Sequence, residues 1–464
     1  MGRQQFLKLS KEKVWDQKHR NTIAFNIGKY NTAVLSGKKQ FVDLPKVREH
    51  AKNIKWEAIE RLDHYLEIFE RQFEHNGGTV LWAQDGKDAL NYILDICQKH
   101  KVKKVVKSKS MVTEEIKLNS FLETHGIESI ETDLGEYIQQ LDEEPPYHIV
   151  TPAMHKSRQD IADLFHEKLD VAPDLSAEEM TKIARDKLRN KFIEADLGIT
   201  GANFIAAKEG KIVITENEGN ARLTTSLPKI HIAIIGIEKV IPSIQDLPLF
   251  LPLLSTFGTG QKITVYNTIL GGPKSLKEND GPEKMYVILL DNQRTSLLAS
   301  DMRESLYCIR CGSCLNACPV YKNIGGHSYE ATYSGPIGAV ITPHLKGMYD
   351  YGHLSFASSL CGQCTQECPI NIQIHDLLVK NRQKYVNLGY ESWSEKMTWK
   401  MYKSVMKHPF VISFPTAAIK NVLFKKLVLN SWGTHRDVLT FPPQSFYKLH
   451  KNYKKEKLQN LDHK

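Results

Sequence analysis

Seven cysteines fall into two short runs whose spacing already implies a chemistry. Cys308, Cys311, Cys314 and Cys318, followed by Pro319, read C-x2-C-x2-C-x3-C-P; Cys361, Cys364 and Cys368, followed by Pro369, read C-x2-C-x3-C-P. This is the spacing of bacterial-type iron–sulfur binding, in which the last Cys of each run ligates the other run's cluster. The reason is geometric. A cubane needs thiolates converging from several sides, and cysteines three apart in a tight loop each reach a different iron. The extra residue before the last Cys turns it toward a second cluster, and the Pro lets the chain leave without a backbone donor. Soft thiolates select iron–sulfur clusters or zinc over hard cations. Structural zinc sites usually show two separated C-x2-C pairs, which is not this pattern. The spacing therefore assigns Cys308, Cys311, Cys314 and Cys368 to a first cluster, and Cys318, Cys361 and Cys364 to a second.

The second set is one ligand short. The full pattern would place a cysteine at position 358, where the chain has Ser358. Three readings stay open: a [3Fe-4S] centre; a [4Fe-4S] centre with a non-Cys fourth ligand, from Ser358 or a partner's side chain; or an iron open to a small ligand. A cubane is preferred because the scaffold is otherwise that of a two-cubane protein.

The rest of the chain must position these runs. It has 464 residues, 41% hydrophobic and 25% charged, an ordinary globular composition long enough for two or three domains. Only Cys97 lies outside the runs, which argues for a reducing compartment. The first ten residues hold no long apolar run, so no secretory signal is expected. No stretch reaches about 18 apolar residues, so no transmembrane helix is expected. The net charge of +9 suits acidic partners or a membrane surface, although a solvated basic face is the commoner meaning. Basic residues do not interleave with aromatics as in a nucleic-acid motif, so no nucleic acid is expected.

Residues 1–43 read as an arm with a short helix. Apolar residues over 44–73, at steps of three or four from Ile54 onward, predict one long amphipathic helix. Strands are predicted at 79–83, 104–108, 128–133, 148–153, 211–215, 231–235, 263–268 and 286–291, and helices at 88–100, 113–124 (capped by Thr113), 157–167 and 177–192. That alternation predicts an α/β domain with a largely parallel sheet over 44–294. Ligands of such sheets bind beyond the carboxyl ends of strands. Glu216, Asn217, Glu218, Gly219, Asn220 and Arg222 follow one predicted strand and could form a pocket with Gly201 and Asn203; a plain polar turn explains them equally well. No G-x-G-x-x-G or P-loop pattern is present. Residues 295–390 are expected to be an α-helical ferredoxin-type module, with His327, His344 and His353 as potential neighbours of the clusters. Residues 391–464 are expected to be a basic, mainly helical extension, with an amphipathic helix at 417–429 and a charged, frayed end at 448–464.

The 308–319 run, Gly325-Gly326-His327, Gly335-Pro336-Ile337-Gly338-Ala339 and Ser358-Ser359-Leu360-Cys361-Gly362-Gln363-Cys364 resemble the lactate utilization protein B family. So do Ser110-Met111-Val112-Thr113-Glu114-Glu115, Glu131-Thr132-Asp133-Leu134-Gly135-Glu136 and Glu216-Asn217-Glu218-Gly219-Asn220. The Cys runs alone occur in many electron-transfer subunits; their combination with the α/β part makes the resemblance specific. It implies a lactate-utilization domain related to isomerase and CoA-transferase folds. It also implies a cytoplasmic electron carrier that meets two further lactate-utilization proteins, a Cys-rich iron–sulfur subunit and a small lactate-utilization-domain subunit, in oxidising L-lactate to pyruvate. The implied cofactors are two [4Fe-4S] clusters on the cysteine sets given above, with Ser358 itself matching the family. A catalytic role for the α/β domain, holding a carboxylate or CoA-type ligand, is the alternative.

Overall fold

Ten strands run through the first part of the chain: β1 (Thr79–Ala83), β2 (Lys104–Lys107), β3 (Glu128–Glu131), β4 (Leu197–Thr200), β5 (Phe204–Ala206), β6 (Lys211–Glu216), β7 (Ile230–Gly236), β8 (Val240–Ile241), β9 (Tyr266–Leu270) and β10 (Lys284–Leu290). They belong to a computed structural model that describes residues 2–408, 416–427, 437 and 440–459. Six strands make a sheet in the order β1-β10-β7-β4-β2-β3, and every neighbouring pair is parallel. All seven residues of β7 are buried, as the near-continuous apolar run of a strand covered on both faces requires. Alternate residues of β10 feed opposite cores: Val287 and Leu289 enter the largest one, Ile288 and Leu290 a second.

The other four strands form a small mixed sheet, β8-β5-β6-β9. Here β6 runs antiparallel to β5 and β9. The 216–222 turn therefore ends a strand of this second sheet, not one of the parallel strands as the sequence suggested.

The largest core joins the α/β part to the cysteine part. It holds Ile205, Ile235, Phe250 and Phe257 together with Leu315, Tyr321, Ile337 and Leu378. Met1–Asn387 is one compact unit, and Leu388–Lys464 is a second.

Several local expectations need correction. The first forty residues are not an arm with a short helix but two helices, Arg3–Trp15 and Gln17–Gly37. Phe6, Ile23 and Ile27 drive this by entering the largest core, and Asp16 caps the second helix by accepting from the His19 N–H. Gly37 meets the 256–260 segment so closely that a Cβ there would lie 2.6 Å from the Gly260 carbonyl oxygen. The helix predicted over 44–73 breaks at Arg61 (φ −119°, ψ 39°) into Leu44–Glu60 and Leu62–His75. The break lets Ala51, Ala58 and Ile59 on one side and Leu66, Phe69 and Phe73 on the other all reach the core. The 113–124 helix instead starts after Ser110 and divides at Lys117, whose φ is +56°. The strand expected at 148–153 is a set of turns, because His148 Nδ1 accepts the N–H groups of Val150 and Thr151 that a ladder would need. Strand β9 begins three residues later than the sequence suggested.

The cysteine part is helical as expected, and no strand follows Leu290 among the described residues. The second unit contains helices Trp393–Met406, Ala417–Leu427 and Phe446–Gln459. Positions 428–429 of the expected basic helix and 460–464 of the charged end lie outside the described residues. No helix among the described residues is long and apolar enough to cross a membrane.

Candidate functional site

Residues 308–319 and 358–369 have the same backbone design. Arg310 and Leu360 sit at φ +61° and +55°, Gly312 and Gly362 at +80° and +78°. A short helix follows each loop, Ser313–Ala317 and Gln363–Gln366. The Cys318 N–H donates to the Leu315 carbonyl, and the Cys368 N–H to Thr365. Left-handed residues that are not glycine cost about 1–2 kcal/mol each, so the fold holds both loops curled against that cost. The curl puts side chains at steps of three on one side of the loop. The Arg310 N–H donates to Cys308 Sγ at 3.4 Å, and at the matching position the Leu360 N–H donates to Ser358 Oγ at 3.1 Å. The Ile372 N–H points at Cys368 Sγ (3.4 Å) and the Tyr321 N–H at Cys318 Sγ (3.5 Å).

The thiols gather in two groups. Cys308, Cys311, Cys314 and Cys368 line one small apolar pocket with Ile149, Ile337, Ile370 and Ile372. Burial, then the neighbouring Cys308, pushes the Cys311 and Cys314 thiols far up and Cys368 to about 12. Cys318, Cys361 and Cys364 neighbour one another in the second group, where burial and then Cys318 push Cys364 up to about 11. Cys361 differs: it is exposed, and the Gln363 N–H holds its thiol below the ordinary value. Ser358 is half-buried, with its carbonyl accepting from Arg382 Nη2 at 2.8 Å. A donor set of four soft thiols beside a second set of three, with backbone N–H groups aimed at sulfur, fits iron–sulfur groups; such donors tune a bound centre.

The three histidines singled out by sequence bond elsewhere. His327 meets the Pro145 carbonyl, His344 meets Asn381, and His353 packs on Phe6.

A cleft of about 340 Å³ opens beside the first group and reaches Cys311, Arg310 and Tyr333. Gly201, Asn203, Glu216, Asn217, Glu218 and Asn220 line it, whereas Gly219 and Arg222 do not. Most of these polar groups are committed to the fold. Glu216 caps the helix Asn220–Ser226 by accepting from the Ala221 and Arg222 N–H groups, both at 2.8 Å. Asn217 pairs with the Gln261 amide, Glu218 accepts from the Leu134 N–H, and Asn203 from the Thr215 N–H.

The wall that sequence reasoning missed is cationic. Arg294 clamps Glu115 through two nitrogens at 3.0 Å and donates to Glu238 at 2.6 Å. Arg310 reaches Glu238 at 3.3 Å and lies 4.7 Å from the Tyr333 ring centre, and the Tyr333 hydroxyl closes the ring by donating to Glu115. Against the cost of its burial, Arg294 and then Arg310 hold Glu238 at about 2. Lys239 lines the cleft at 8% exposure, and burial followed by Arg310 pushes it down to about 8. The signal in the sequence was a Glu-Lys pair inside the apolar 230–241 run.

Comparison with known proteins agrees with this layout. The LUD domain family matches residues 66–290 and the 4Fe-4S dicluster domain family matches residues 304–372. The chain is 48% identical to lactate utilization protein B 2 of Bacillus mycoides (strain KBAB4) over 356 residues, 76% of this chain and 75% of the relative. It is 47% identical to lactate utilization protein B of Bacillus thuringiensis (strain Al Hakam) over the same shares. A LUD domain on a parallel α/β sheet, an iron–sulfur domain after it and a helical C-terminal region are thus combined in one chain, which belongs to the lactate utilization protein B family.

Proposed function

We propose that this protein is the iron–sulfur electron-transfer component of a system that oxidises L-lactate to pyruvate. It would work in the cytoplasm with two other lactate-utilization proteins, one Cys-rich and one a small LUD-domain subunit. Cys308, Cys311, Cys314 and Cys368 would hold one [4Fe-4S] cluster, and Cys318, Cys361 and Cys364 the other, with Ser358 in register for the fourth position. Bound clusters supply one-electron acceptors that can take an electron pair in two steps. The observation that carries the reading is the difference in depth between the two thiol groups. One has three buried thiols and the half-buried Cys308 beside a cleft, and the other includes the exposed Cys361, so electrons have an inner and an outer station. Ile149, Ile337, Ile370 and Ile372 surround the inner station with apolar side chains.

Iron and acid-labile sulfide per chain, with EPR on anaerobically purified protein, test this. About eight irons, silent when oxidised, is the expected result; about seven with an oxidised signal means a three-iron second centre. Zinc without sulfide would end the electron-transfer reading. The second reading, a ligand site in the α/β part, draws support from the cleft's contact with Cys311. Under it, Glu218→Gln loses lactate oxidation at unchanged iron content.

A further inference from the structure

We propose that Glu144, His155 and His327 form a binding site for one divalent metal ion of the zinc type, which bridges the α/β part and the cysteine part. The inference is independent of the thiol groups and of the cleft beside Cys311.

One nitrogen of each imidazole and one oxygen of the Glu144 carboxylate lie within 4.8 Å of one another. Ligands at about 2.0–2.1 Å from a tetrahedral zinc stand about 3.3 Å apart, so the three groups need to draw in by at most about 1.5 Å. His155 Nε2 and Glu144 Oε2 are already 3.0 Å apart. Two imidazoles and a carboxylate are a donor set that zinc accepts, with water in the remaining position. All three groups are half-buried, which leaves that position open to solvent.

The surroundings hold both rings ready. The His327 Nε2–H donates to the Pro145 carbonyl at 2.8 Å, the kind of bond that orients most metal-ligating imidazoles. His155 Nδ1 has no hydrogen-bond partner among the described residues, so nothing forces the proton onto Nε2, and Nε2 can offer its lone pair. Tyr147 stacks on His155 with ring centres 4.5 Å apart and meets His327 edge-on at 5.0 Å. A Cβ on Gly325 or Gly326 would fall 1.8 Å from an oxygen of Tyr147, so these two glycines let the chain bring His327 to the site. The nearby cations leave room for another. Lys156 contacts both Asp142 and Glu144 and can keep Asp142 when a metal takes Glu144, while Lys13 pairs with Asp16.

The test adds one equivalent of Zn²⁺ to anaerobically purified holoprotein of measured iron and sulfide content. Zinc K-edge X-ray absorption reads the neighbours of the metal, and competition with a chelating dye reads its affinity. Nitrogen and oxygen neighbours at about 2.0–2.1 Å are expected, with no sulfur at about 2.3 Å. His155→Gln and His327→Gln, one in each part of the chain, should each weaken zinc binding at least tenfold with iron and sulfide unchanged. Lys156→Met removes the competing ammonium and should tighten binding about threefold, a gain that damage to the fold cannot imitate. Zinc with sulfur neighbours would overturn the proposal, because the metal would then sit on the cysteine loops. Zinc binding like wild type in either His variant would overturn it too, as would weaker binding in Lys156→Met.

Discussion

The loop over 308–319 and the loop over 358–369 are built alike and placed differently. Both carry two left-handed residues, a short helix and a Cys-Pro exit. Around Gly312, however, a Cβ would lie 3.0 Å from both His148 and Val150, whereas nothing stands within 4 Å of a Cβ at Gly362. Arg310 is locked between Glu238 and Tyr333, whereas its counterpart is the half-buried Leu360. Cys308 is matched by Ser358. The comparison teaches that the repeat sets the loop's shape, while the α/β part decides which loop is sealed and which faces outward.

The hardest blow to this comparison is Cys311→Ala against Cys364→Ala. Each should lose about half the iron, but the first empties a pocket in the shared core and should lower the melting temperature further. Equal melting losses would mean that the α/β part does not support the inner loop. Arg310→Leu copies the outer loop's residue into the inner one. It removes a partner from a buried ion pair, so denaturant titration should show a loss of about 3 kcal/mol, and a loss under 1 kcal/mol would show that Arg294 alone satisfies Glu238. Ser358→Cys makes the outer loop copy the inner one. It should raise iron retention under mild oxidation and bring the second centre's EPR closer to that of a four-thiolate cubane, with little change in stability; an unchanged spectrum would show that position 358 does not face the cluster. The smallest effect concerns cluster-free protein. Cys361 should be alkylated first, because it is exposed and its thiol is lowered by the Gln363 N–H, so labelling below pH 9 should single it out in peptide mapping. Prior labelling of Cys314 would contradict the depth difference.

Much of this was legible in the residues. Cysteine spacing marked the two loops as an iron–sulfur region, because ligand spacing is local. The alternation of strands and helices announced a parallel sheet, and the burial of every residue of β7 fits it. The failures lie where distant partners decide. Arg61 ends a helix whose apolar steps continue past it, because two directions of packing compete there. The first two helices carry few apolar residues at regular steps, and what fixes them is contact with segments far along the chain. The Glu216–Asn220 turn read equally well as a pocket or a plain polar turn; Glu216, Asn217, Glu218 and Asn220 line a cleft, yet their polar atoms mostly serve the fold. Lys239 adds a buried cation to the cleft, and only the packing around Glu238 shows where it lies.

The tight crossing of Gly37 with the 256–260 segment has a consequence for synthesis. The helices made first dock against a segment made much later, and against Tyr321 and Tyr329 later still. A growing chain therefore cannot complete the core around these helices until the segment after Cys318 has emerged. The closing of the core around the amino-terminal helices thus waits on the same stretch of chain that carries the first cysteine loop.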